Sequence, residues 1–70
     1  MNAPGATLER QVAEVRRELG MRRRKYPEWV AAARMTQAQA DERLEAMEAV
    51  LATLEDLRKA QKLRDTPELF

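Results

Sequence analysis

Four consecutive cations, Arg22-Arg23-Arg24-Lys25, run directly into Tyr26-Pro27-Glu28-Trp29. No other stretch of the chain concentrates so many groups able to bind something. Clustered cations can hold phosphates and release counterions from nucleic acid. Trp, Tyr and Arg are also the side chains that dominate the energetic centres of protein interfaces. The same cations suit a helix C-terminus, where they complement the dipole and face acids on a neighbouring helix. Tyr26 and Trp29 can equally plug the open end of a helix pair. The residue types leave these readings open. Arg34 lies just beyond and adds one more cation.

Chemistry of other kinds has little to draw on. The chain has no histidine and no cysteine, so zinc, disulfides and thiol or imidazole catalysis have no residues to use. Asp and Glu remain as acids or bases, but the pattern puts them on exposed helix faces without a pocket. We expect no enzyme, no cofactor and no metal site. The methionines Met21, Met35 and Met47 suit an adaptable surface, although at helical spacing they more often belong to a core.

Seventy residues make one small domain. The apolar share is 44%, but twelve of those residues are alanines, which bury little area each. A core of this size seldom contributes more than about 3–5 kcal/mol without a staple or a second copy. A homodimer is therefore expected. The opening MNAPGATLERQ has neither the basic nor the apolar region of a secretory signal. No run approaches the roughly 20 apolar residues of a membrane span. A cytoplasmic protein is the expectation, with no membrane partner.

The net charge is only +1, but it is unevenly spread. Residues 16–34 hold seven cations and two anions, a net of +5, and residues 41–56 hold six anions and one cation, a net of −5. Such polarity fits two helices whose charges answer one another.

The elements follow from periodicity and caps. Residues 1–6 form an expected disordered leader, with Pro4 and Gly5. Thr7 is placed to cap a first helix, whose apolar stripe is Leu8, Val12, Val15 and Leu19. Pro27 predicts an end or kink near Lys25, followed by a short second helix over Pro27 to Met35 carrying Trp29, Val30 and Ala33. Thr36-Gln37-Ala38-Gln39 fits the T-x-x-Q capping box. It opens a long helix from Gln37 to about Leu63, with the stripe Ala40, Leu44, Met47, Leu51 and Leu54, widened by Val50 and Leu57. Residues 65–70 are an expected flexible tail.

These elements predict an all-α antiparallel helical hairpin over residues 7–64, with a Pro-kinked short helix at the turn. A trial register pairs Leu19 with Leu44, Val15 with Met47, Val12 with Leu51 and Leu8 with Leu54. It brings Arg16, Arg17 and Arg23 towards Asp41, Glu42 and Glu45. The last helix then outruns the first, and Leu57 and Leu63 overhang. The expected dimer interface is Leu44, Met47, Leu51, Leu54 and Leu57. The expected partner-binding residues are Arg22, Arg23, Arg24, Lys25, Tyr26, Trp29 and Arg34. A small DNA-binding regulator using the basic end of the first helix is the alternative.

The segment EVRRELGMRRRKYPEWVAAARMTQAQADERLEAMEAVLATL, Glu14 to Leu54, resembles a family of small phage and prophage proteins. The shared pattern is MRR, YP-x-W-V, a stretch of small residues, R-M-T-Q, A-D and a late M-E-A, most specific from Met21 to Met47. That family includes the phage anti-quorum-sensing type, a small helical homodimer. The resemblance implies an inhibitor of host proteins that acts by contact. The implied targets are a LuxR-type quorum-sensing regulator and the ATPase that assembles type IV pili. The matched motif positions are Arg22, Arg23, Tyr26, Trp29 and Arg34.

Overall fold

The computed structural model describes residues 5–65, and among them the chain forms two α-helices and no strand. Helix α1 spans Leu8–Ala31 and helix α2 spans Gln37–Asp65. The leader expected over residues 1–6 and the tail expected over residues 65–70 fall mostly outside the described range.

Both helix starts are set by threonine, as the sequence predicts. The Thr7 hydroxyl accepts a hydrogen bond from the Arg10 backbone N–H at 3.1 Å, and Glu9 sits in the first turn of α1. At α2 the capping box closes in both directions. The Gln39 N–H donates to Thr36 Oγ1 at 3.0 Å, and the Thr36 N–H donates to Gln39 Oε1 at 3.1 Å. Two orphan donors of the helix start are thereby satisfied. Lys62 and Arg64 occupy the last turn of α2, where cations suit the dipole.

Pro27 does not end the first helix. α1 runs unbroken through Tyr26 and Pro27 to Ala31, so the expected separate helix over residues 27–35 is corrected to the last turn of α1 and a connection of five residues. Proline at this position cannot donate to the Arg23 carbonyl, which costs helix stability. The side chains around it explain why the helix survives. Tyr26 is buried, and Trp29 and Val30 on the far side of the proline pack against the same cluster, with Met35 and Ala40. Tertiary packing overrides the local preference.

The turn itself has the hydrogen bonds of a Schellman motif. The Ala33 N–H donates to the Val30 carbonyl at 3.0 Å and the Arg34 N–H to the Trp29 carbonyl at 2.8 Å. Such a turn needs one residue in the left-handed region, where glycine is usual. Here it is Ala33, at φ 59°.

The two helices pack along one seam. On α1, Val12, Leu19 and Tyr26 are buried at intervals of seven, with Leu8, Val15, Arg22 and Trp29 half-buried between them. On α2, Ala40 is buried and Leu44, Met47, Leu51, Leu54 and Arg58 are half-buried. This 4-3-4-3 spacing keeps one apolar face towards a partner helix. Cross-helix contacts recede from the turn in both directions along the chain. Arg22 Nη1 donates to the Arg43 carbonyl at 3.2 Å, Arg23 pairs with Glu48 at 3.0 Å, and Arg16 pairs with Glu55. The hairpin is antiparallel.

The expected register is corrected by the same contacts. Arg23 meets Glu48 and Arg16 meets Glu55, while Arg17 reaches only Glu14 on its own helix at 3.8 Å. Asp41, Glu42 and Glu45 are not their partners. Because α1 continues to Ala31, its 24 residues extend roughly 36 Å, against roughly 44 Å for the 29 residues of α2. The start of α1 therefore reaches further down α2. Leu57 lines the same concavity as Thr7 and Leu8, so it does not overhang. Leu63 is 77% exposed.

Candidate functional site

Three of the four cations in the basic run are engaged within the chain. Arg22 is only partly exposed. Its guanidinium bonds Glu18 at 2.8 Å, reaches the Arg43 carbonyl, and lies 5.9 Å from the centroid of the Tyr26 ring. It belongs to the seam, as a cation laid on an aromatic face. Arg23 faces Glu48 across the hairpin, and Lys25 sits 3.7 Å from Glu28. Arg24 and Arg34 are exposed, and their side chains make no ion pair or hydrogen bond among the described residues.

The two aromatic residues differ in role. Tyr26 is 5% exposed and forms the centre of a cluster with Met35 and Ala40, supported by Trp29, Val30 and Leu44. Its ring centroid lies 5.5 Å from that of Trp29, with the planes tilted by 38°. Trp29 is half-buried and retains an accessible edge. The turn end of the hairpin thus leaves part of Trp29 and the Arg34 side chain open to solvent beside a filled aromatic plug, with Arg24 exposed about two turns earlier on α1.

The residues expected at a dimer interface lie along α2. Leu44 packs on the Tyr26 cluster within the chain. Met47, Leu51 and Leu54 are half-buried by α1, and Leu57 is 52% exposed. Val50, which sequence spacing marks only as widening the stripe, is 44% exposed. It stands seven residues from Leu57, so both occupy one flank of α2. The apolar band of this helix is wider than one neighbouring helix covers.

The described residues show neither a cluster of metal-ligating side chains nor a buried side-chain polar atom without a partner. A concavity of about 540 Å³ lies at the open end between the start of α1 and Leu57, Gln61 and Arg64, and it is open-sided. No helix among the described residues is long and apolar enough to cross a membrane.

No protein-family model, curated protein or solved structure matches the chain.

Proposed function

We propose that this chain is a non-catalytic, protein-binding helical hairpin that acts as a homodimer. In this reading it is a phage-encoded accessory protein that binds and inhibits a bacterial host protein in the host cytoplasm. The observation that carries the binding role is the apolar flank of α2, where Val50 and Leu57 remain about half exposed beside half-buried Met47, Leu51 and Leu54. A second copy laid on that flank buries side chains that one hairpin leaves wet, which is the cheapest way for a 70-residue chain to enlarge its core. The dimer then displays two copies of the turn end, with Trp29 and Arg34, and of Arg24 about two turns before it, for a target.

The target rests on the resemblance of Met21–Met47 to the phage family. It points first to a LuxR-type quorum-sensing regulator and second to the type IV pilus assembly ATPase. The mechanism is steric: the small dimer occupies a surface the target needs for DNA binding or assembly. Recognition of nucleic acid is the weaker reading. Arg22, Arg23 and Lys25 already face carboxylates of the same chain, which leaves Arg24 as the cation of the run without an ion pair among the described residues.

Titration calorimetry against a purified LuxR-type regulator, the pilus ATPase and a DNA duplex tests this. Saturable binding to the regulator, weakened about tenfold or more by Trp29→Ala in a chain that stays folded, is the expected result. Failure to bind either protein removes both targets. Affinity for the duplex alone, falling steeply with added salt, replaces the reading with the nucleic-acid one.

A further inference from the structure

Ala33 is the one non-glycine residue of the described chain with a positive φ, at 59°. An L-residue in that region is strained, and the strain is relieved if the backbone becomes right-handed helix. The rest of the connection would accept that change. Ala31-Ala32-Ala33-Arg34-Met35 contains no glycine or proline and consists of strong helix formers, with Thr36 the only weak one. The hairpin therefore turns at a place whose own preference is to stay straight.

A second observation comes from the heptad phase. α1 buries Val12, Leu19 and Tyr26, with Val15, Arg22 and Trp29 in the alternate seam positions. Continued at sevens through the turn, the first set falls on Ala33, Ala40, Met47 and Leu54, and the second on Thr36, Arg43, Val50 and Leu57. Val50 and Leu57 are the two side chains that the hairpin leaves half exposed on the flank of α2. They lie in phase with α1 across the turn. One uninterrupted helix would carry a single, largely apolar stripe from Leu8 to Leu57, broken by Arg22, Thr36 and Arg43.

We propose that the turn Ala32–Thr36 is a hinge, and that two copies of the chain exchange α1 by straightening it. The occupant of the seam is then α1 of a second copy. Short strained hinge loops favour such exchange, because the seam contacts are remade between chains. The helix start of α2 gives up its Thr36–Gln39 capping box, and in return residues 32–36 gain helical hydrogen bonds and Ala33 leaves the left-handed region. This goes beyond dimerisation of intact hairpins, which leaves α1 on its own α2.

Spin-label distances distinguish the two arrangements. The chain has no cysteine, so Glu9→Cys with Gln61→Cys gives two unique labels at positions lining the same open-end concavity. The doubly labelled chain is refolded at high concentration with a large excess of unlabelled chain, so that only distances within one chain are seen. An intact hairpin keeps the labels close; a straightened chain separates them to roughly 80 Å over 52 residues. The expected result is a long-distance population that grows with concentration. Ala33→Gly should shrink its equilibrium constant about fivefold or more per chain, since glycine favours the turn and disfavours the straight helix. Ala33→Leu should enlarge it. Short distances alone at every concentration overturn the exchange, and if light scattering shows a dimer in that case, the dimer is one of intact hairpins. A long-distance population unmoved by either Ala33 variant overturns the role of the hinge.

Discussion

At the scale of single residues, Tyr26 shows how little its type says about its role. Tyrosine beside arginine suggests a contact residue, yet its ring is 5% exposed and packed on Met35 and Ala40. Among the described residues its hydroxyl has no hydrogen-bond partner, and it is not buried, so it reaches solvent. The ring therefore carries the energetic role and the oxygen adds little. Tyr26→Phe should leave stability within about 0.5 kcal/mol of the parent. Tyr26→Ala should cost about 3–5 kcal/mol, comparable with the whole stability expected of so small a core. Urea denaturation followed by circular dichroism reads both: the Phe variant keeps its midpoint, and the Ala variant loses its cooperative transition. A shift of the Phe variant as large as that of the Ala variant would mean that the hydroxyl is bonded after all. Arg22 is a similar case. Its charge invites a phosphate, but its seam position, its bond to Glu18 and the Tyr26 face beneath it already satisfy the guanidinium.

At the scale of elements, the caps were legible and the end of α1 was not. Thr7 and the Thr36–Gln39 box are local devices, complete within four residues, and both stand where sequence places them. Pro27 is a local signal of equal strength that points the wrong way, because the packing of Tyr26, Trp29 and Val30 outweighs it. The turn that does end α1 has no glycine to announce it. The register error followed from that one misplacement, since an α1 carried on to Ala31 meets α2 further from the turn. Pro27 is exposed, so its ring contributes little packing, while the Arg23 carbonyl lacks its helical donor. Pro27→Ala restores that donor. A gain approaching 3 kcal/mol is reduced by the position near the helix end and by the stiffness proline gives the unfolded chain, about 0.4–1 kcal/mol. The net expectation is a stabilisation of about 1–2 kcal/mol in urea denaturation. A destabilised Pro27→Ala would show that the ring holds the turn in place.

At the scale of the whole molecule, the two halves of the seam are unequally covered. α1 buries three side chains at intervals of seven, whereas among the described side chains of α2 only Ala40 is buried and the larger apolar residues beyond it stay partly wet. The sequence shows the wider band, in Val50 and Leu57 beside the main stripe, but not how much of it stays wet, because exposure depends on how wide a band one neighbour covers. The ion pairs do not compensate. Arg16–Glu55 and Arg23–Glu48 are substantially exposed, and pairs of that kind contribute at most about 1 kcal/mol while fixing orientation. Further stability has to come from apolar area on α2. Val50→Glu with Leu57→Asp places two charges on the flank without touching a buried residue, so the hairpin seam and both caps remain. If a second copy covers this flank, sedimentation should show the parent as a dimer and the double variant as a monomer, with its unfolding midpoint lowered and newly independent of protein concentration. If parent and variant sediment alike and unfold alike, the flank faces water in both, and association between copies does not use it.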